Sequence, residues 1–366
     1  MKRINILTNG FKTPNQRAFL FPILFHRKCL EDIGLSIRIF SEISSDLFDC
    51  DYLAVENKYF SKRWVNERDS VVEEIALLSD AVGGLIYFDI TDSSGIDHAH
   101  ALPHVTVYAK SQLMADKSRY LTPMKGYRPY SDFYAQEHGL KDFDDESSTP
   151  ISSPALLDRM TVGWNSALAD YSWLGPLRMA AYQRIPLRSF LRLPSVEDYP
   201  KPSLTRSRAA SIRIGTNYRR ETVSFQRRSI AELLQGRLDT EKVSRKKYLK
   251  EISDSKVVIS PFGLGEITLR DFEVMMSGSL LYKPDMSHMT TWPNLFVDGE
   301  TIISHRWDLD DLLDKLEDIL YNFSDYIDIA AEGQRRYFKY VSGESSGELF
   351  AGHLKSILDF YDSKGT

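Results

Sequence analysis

Short apolar runs alternate with longer amphipathic stretches along most of the chain. Residues 3–8 (Arg-Ile-Asn-Ile-Leu-Thr) predict a strand that ends at Asn9-Gly10. Helical spacing follows over 16–31 and stops at Gly34. Residues 35–40 alternate as a second strand, and 51–55 predict a third. Val71, Val72, Ile75 and Leu78 mark one face of a helix over 66–78, which Gly83-Gly84 breaks. Strands are predicted at 85–88 and 104–108, the latter running into a helix from about Ser111. The rhythm is lost over 120–160, which predicts long loops, short helices and a mobile tip near 142–153. An apolar helix is expected over 164–185, returning to the core. Pro194, Pro200 and Pro202 then mark a linker.

The alternation restarts beyond the linker. Strands are predicted at 211–216, 256–260, 279–283 and 301–304. Helices are expected at 225–234, 245–253, 266–276 and 309–320, the last capped by Asp308. Two further helices, 324–340 and 348–361, close the chain. Strands alternating with helices predict βαβ units, and therefore an α/β fold with mostly parallel sheets. The expected organisation is a Rossmann-like unit at 1–200, a second at 201–345 and a terminal helix in 346–366.

Composition narrows the class. The 366 residues are 42% hydrophobic, 27% charged and 12% aromatic, enough for a sizeable core and unlike a disordered chain. The longest largely apolar stretch near the N-terminus, 18–25, is far short of the ~20 residues of a membrane span. The first ten residues are too polar for a secretory signal. Two cysteines, Cys29 and Cys50, make no disulfide framework, so a reducing cytoplasm is expected. The net charge of −5 argues against nucleic acid as a partner. Its distribution is uneven: residues 201–250 carry 14 Lys/Arg against 4 Asp/Glu, a local balance of +10, whereas 141–148 are acidic. Such a local cationic surface suits a discrete anionic ligand or the face of an anionic membrane.

The strongest local signal is Ser260-Pro261-Phe262-Gly263-Leu264-Gly265-Glu266. A buried strand runs into a glycine loop that opens a helix. Glycines let a ligand approach the backbone, and the free amides of a helix start favour a phosphate. Glu266, Arg270 and Glu273 would share one face of that helix, where the guanidinium could hold a diphosphate and Glu273 two ribose hydroxyls. A solvent-exposed Glu–Arg–Glu ladder is the alternative use of that spacing.

This run continues as Arg270-Asp271-Phe272-Glu273, Ser277-Gly278, Lys283-Pro284-Asp285-Met286-Ser287-His288 and Trp292-Pro293. Together these residues resemble the donor-binding half of GT-B glycosyltransferases, closest to the bacterial polysaccharide group with a family 1/CgeB-like C-terminal domain. The resemblance covers about a fifth of the chain. It implies two Rossmann-like domains facing a cleft, with the acceptor on 1–200 and the nucleotide-sugar donor on 201–345. It also implies that the terminal helix crosses back to the first domain. The implied activity is metal-independent sugar transfer to a glycan or lipid-linked acceptor in surface polysaccharide biosynthesis, with no cofactor. Glu273 maps to the ribose-binding glutamate, and Gly263, Gly265 and Glu266 to the loop facing the diphosphate and sugar. Many retaining members carry two glutamates with seven residues between them; here only six residues lie between Glu266 and Glu273, and Gly265 occupies the expected first position.

Other candidates follow from position. Arg213, Arg219 and Arg220 follow or end the first strand of the second unit, where cations would meet the donor's phosphates. The cluster Asp89 to His100 follows the fourth strand. From it Asp92, His98 or His100 could serve as the general base of an inverting transfer. His98, His100 and Asp97 also raise a metal reading, without a third ligand at a known spacing, and a plain Asx turn accounts for the same residues. His288 lies after a strand on the same side and would touch the donor or make a structural hydrogen bond. Phe262 and Trp292 could stack on a base or sugar, or pack the core. No Walker loop, Gly-x-Ser-x-Gly elbow, His-Glu-x-x-His, Cys-x-x-Cys pair or dinucleotide glycine pattern is present. A non-catalytic carbohydrate-binding subunit and a nucleotide-dependent oxidoreductase remain the alternatives to a transferase.

Overall fold

The computed structural model describes residues 1–364 apart from Asp97 and Asp145. Among the described residues twelve strands occur in chain order: β1 (Lys2–Leu7), β2 (Leu35–Phe40), β3 (Tyr52–Glu56), β4 (Ile86–Asp89), β5 (Val107–Lys110), β6 (Gln112–Met114), β7 (Met160–Val162), β8 (Arg208–Ser211), β9 (Ser255–Ile259), β10 (Leu280–Pro284), β11 (Met289–Thr291) and β12 (Ile303–His305). The first sheet is β2-β1-β3-β4-β5-β7 and the second is β12-β10-β9-β8. Every pairing within these two sheets is parallel. The fold is therefore the expected α/β class, with helices between many of the strands. The order of the first sheet reverses at β1 and β3, so a crevice is expected at their carboxyl ends.

One hydrophobic core runs between the sheets. It includes Phe19, Phe88 and Trp164 from the first half and Phe262, Phe272 and Met275 from the second. Phe19 and Trp164 stack with centroids 4.9 Å apart, and the indole N–H donates to the Phe19 carbonyl at 3.1 Å. Each such side chain, fully buried, contributes about 1.5–3 kcal/mol. The halves are also joined by backbone. The expected helix from Ser111 is instead β6, which pairs antiparallel with β11 across 175 residues, from Met114–Met289 to Gln112–Thr291. Local propensity cannot register so distant a partner. The helix Ser346–Asp362 lies on the first half: His353 Nε2 is 2.9 Å from the Gly163 carbonyl, and Asp362 meets Lys2 and the Tyr52 hydroxyl.

Two other expectations are corrected. The tip near 142–153 is pinned: Asp142 accepts from Thr222 N at 2.9 Å and from Arg220 at 3.0 Å, and Asp144 accepts from Arg220 at 2.7 Å. The apolar stretch 164–185 is not one buried helix. Pro176 sits in the first turn of a shorter helix, Gly175–Arg184, most of whose surface faces solvent. No helix among the described residues is long and apolar enough to cross a membrane.

Candidate active site

The glycine loop follows β9, but the helix after it begins later than the sequence suggested. Thr268 is the N-cap: its side chain accepts from the Asp271 amide, and Asp271 accepts from Thr268 N at 2.8 Å. This capping box starts the helix at Leu269, so Glu266 belongs to the loop and shares no helical face with Arg270 and Glu273. A second capping box starts the helix Pro14–Phe25, where Thr13 and Gln16 bond reciprocally. Gln16 also donates to the buried Glu56 at 2.7 Å, which ties this helix to the end of β3.

These two helix starts converge on one cavity of about 430 Å³ between the sheets. Pro14, Asn15 and Ala18 form one wall, and Gly265, Ile267, Thr268 and Leu269 form another. The carboxyl ends of β4 and β5 supply Ile90, Thr91, Asp92, Ser111 and Gln112, and Tyr218 closes one side. Two N-terminal dipoles aimed at one space favour an anion there. Asp92 is the exposed carboxylate on this wall. Its Oδ1 accepts from Asn15 Nδ2 at 2.5 Å, and its carbonyl accepts from Gln112 Nε2 at 2.7 Å. The side chain is thus held in place but open to a ligand.

The loop is clamped to the first half around this cavity. A Cβ on Gly265 would lie 1.8 Å from the Asp92 carbonyl oxygen, so only glycine permits the approach. Tyr130 donates to the Gly263 carbonyl at 2.8 Å, and Arg128 to that of Leu264 at 2.5 Å. Each half also buries a Lys–Asp pair near the carboxyl end of a central strand. Lys110 Nζ is 2.8 Å from Asp89, and Lys283 Nζ is 3.0 Å from Asp271; all four side chains are fully buried. Burial alone would push the Asp89 carboxyl up, and Lys110 outweighs it, holding the group well below the usual carboxylate range.

Several expected site residues are engaged elsewhere. Glu266 is fully buried: it accepts from Ser93 Oγ at 3.0 Å, Ser94 Oγ at 2.7 Å and Ser94 N at 3.2 Å. His288 Nε2 stands 3.5 Å from it and packs edge-on to Trp307. Neither residue lines the cavity; together they bind the two halves. Burial pushes the Glu266 carboxyl up, but His288 and Ser94 outweigh that, and its pKa falls below the ordinary 4.5. A depressed carboxylate stabilises the fold above its unfolded pKa and loses that contribution as pH falls through the folded value. Glu266→Gln should therefore flatten the acid side of the melting-temperature profile relative to wild type. Parallel profiles in thermal melts from neutral to acid pH would remove Glu266 from the clamp.

Arg213 and Arg220 are likewise engaged by acidic partners. Arg213 grips Glu251 through Nε at 2.7 Å and Nη2 at 2.9 Å, away from the cavity. Arg219 lies 3.7 Å over the Phe143 ring, and Arg220 pairs with Asp142 and Asp144. Arg270 donates through Nη2 to the Arg213 carbonyl, stands 6.0 Å from the Tyr248 ring and does not line the main cavity. Acidic partners distant in sequence had no local signature. His98 is buried against Trp64 with centroids 4.5 Å apart, and His100 lines a separate cavity beside Asp69 and Glu73. Of the proposed bases, only Asp92 reaches the main cavity. Asp97 lies outside the described residues, and no group of three or more potential metal ligands gathers among those described. Trp292 stacks on His353 at 4.0 Å, and Phe262 is fully buried.

Glu273 lines another cavity, of about 390 Å³, with Tyr171, Trp173, Tyr199 and Met276. Burial pushes its carboxyl up, against Arg245, whose Nη1 is 2.8 Å away. Leu269, Glu273 and Met276 are spaced four and three residues apart, so the two cavities lie along one helical face. Arg227 was missed. It is buried behind the glycine loop, donating to the Phe262 carbonyl at 2.8 Å, 4.8 Å from the ring of Tyr218. Its signal was available: Val223, Arg227, Ile230 and Leu234 form the buried stripe of their helix.

No protein-family profile matches the chain, and no curated protein matches it. Among solved structures, an alpha-glucosyltransferase in complex with UDP-glucose and DNA containing an abasic site aligns with 98% of this chain and 99% of its own, at 10% identity and a TM-score of 0.37. The S. aureus MnaA–UDP co-structure covers 98% of both chains at 10% identity and 0.38. TarM covers 99% of both at 10% identity and 0.33. Likeness of this degree carries no argument about family or activity.

Proposed function

We propose that the chain is a glycosyltransferase of GT-B type that takes a nucleotide-sugar donor and transfers its sugar to a hydroxyl of a glycan or lipid-linked acceptor. The observation that carries this reading is the cavity on which two capped helix starts and the ends of β4 and β5 converge. The donor's diphosphate lies at the two helix N-termini, with Arg227 adding positive potential from behind the loop. The nucleoside extends along the helix Leu269–Ser277 to Glu273, whose carboxylate accepts from ribose hydroxyls.

Asp92 takes the proton of the acceptor hydroxyl. The acceptor oxygen attacks the anomeric carbon from the face opposite the diphosphate. The bond from that carbon to the phosphate oxygen breaks, and the nucleoside diphosphate leaves with the bonding electrons. Helix dipoles stabilise the charge that develops on it. The narrow join around Gly265 and Glu266 keeps water from the donor and limits hydrolysis.

A thermal-shift series with UDP, GDP, dTDP and CMP tests the donor site. A ligand at a hundredfold excess over its Kd stabilises the native state by about 2.7 kcal/mol, so one nucleotide should raise Tm clearly. Glu273→Ala should then weaken that nucleotide about 10- to 100-fold, the worth of a hydrogen bond to a charged group. Unchanged affinity in the variant would place the nucleoside elsewhere. Release of nucleoside diphosphate from a matching sugar donor separates a transferase from a non-catalytic carbohydrate binder.

A further inference from the structure

The basic segment 201–250 invited a membrane reading, but its arginines largely face acidic partners. A different surface has the required character. Residues 171–196 contain Arg178, Arg184, Arg188 and Arg192 and no Asp or Glu. Arg178 is bound to Asp170 at 2.8 Å, whereas Arg184, Arg188 and Arg192 make no ion pair among the described residues. Large apolar side chains stand in solvent beside them: Trp173 is 52% exposed, Leu177 67%, Ile185 57% and Leu187 54%. Residues 183–189 are exposed without interruption, so Ile185-Pro186-Leu187 forms an apolar tip between two arginines. The segment is anchored from beneath by Met179 and Leu191, which pack on Ala18 and Phe21.

Contiguous exposed apolar side chains are costly in water and mark a contact surface. An apolar tip ringed by cations, with a tryptophan at its margin, matches the interface of an anionic bilayer in both polarity and charge. We propose that the face formed by Trp173, Leu177, Ile185 and Leu187 with Arg184 and Arg188 seats the protein on an anionic lipid surface. Trp173 also lines the cavity that Glu273 reaches, so the seated face borders the donor groove. This presents a lipid-linked acceptor to the site, a consequence that rests on the transferase reading; the lipid contact itself does not.

Co-sedimentation of the full chain with vesicles tests it, using phosphatidylcholine alone and phosphatidylcholine mixed with phosphatidylglycerol. Wild type should partition onto the anionic vesicles and be released by salt. Each cation at such a surface is worth about fivefold in partition, so Arg184→Glu with Arg188→Glu should lower binding at least tenfold, roughly. Ile185→Ser with Leu187→Ser should lower it comparably and leave a weak, wholly salt-sensitive remainder. All four positions are exposed, so both variants should melt as wild type does. Equal binding of wild type to neutral and anionic vesicles, or variants that bind as wild type, overturns the proposal. So does an Ile185/Leu187 variant that only dissolves a dimer in light scattering. Nucleoside diphosphate release without vesicles should be unchanged in both variants. Its absence from wild type with vesicle binding intact strikes the transferase reading and not this one.

Discussion

Replacing Asp92 with asparagine should slow transfer about 10²- to 10⁴-fold and leave nucleotide affinity unchanged. Asparagine keeps an oxygen to accept from Asn15 Nδ2, so the wall of the cavity stays in place and only the proton acceptor is lost. The side chain is exposed, so the variant should melt close to wild type. His98 and His100 cannot substitute, since one is buried against Trp64 and the other faces a separate cavity. Steady-state transfer rates, measured beside titrations with the preferred nucleotide, check both halves of the expectation. An Asp92→Asn enzyme with undiminished turnover would move the base elsewhere and with it the orientation of the acceptor.

The second large effect is on stability. Lys283→Met should cost about 3–5 kcal/mol, because Asp271 would be left as a buried charge without its partner. Asp271 also holds Thr268 N and the hydroxyl of Ser260, so the same loss loosens the helix start at the cavity. Burial pushes the Lys283 ammonium down, against the pull of Asp271. The double variant Lys283→Met with Asp271→Asn should recover part of the loss, since it removes the orphaned charge. Denaturant midpoints of the two single variants and the double form the cycle. A loss in Lys283→Met smaller than that of an exposed ion pair, about 1 kcal/mol, would contradict the assignment.

Much of this arrangement was legible in sequence. Alternating strand and helix periodicities gave the two parallel sheets, and Gly263 and Gly265 after β9 marked the loop that meets the other half. Thr268-x-x-Asp271 is a capping box in plain sight, and it sets the helix start at Leu269, past the Glu266 at which the glycine loop suggests it. Apart from the short helix at Pro176, the remaining differences share one cause: the deciding partner is far away in the chain. Arg220 is neutralised by a tip some 76 residues earlier. Glu266 is claimed by Ser93 and Ser94 across the cleft, and Gln112–Met114 becomes a strand only because Met289–Thr291 lies beside it. Residue type told which groups could bind a phosphate. Only the packing told which were already occupied.

The central claim is a location: the phosphates of a sugar carrier lie between the starts of the helices Pro14–Phe25 and Leu269–Ser277. A crystal grown with the best-binding nucleoside diphosphate tests it through one difference-density map. The account predicts phosphate density within hydrogen-bonding reach of both helix starts, with the ribose toward Glu273. Density confined to any other cavity, or no nucleotide bound at saturating concentration, would contradict it.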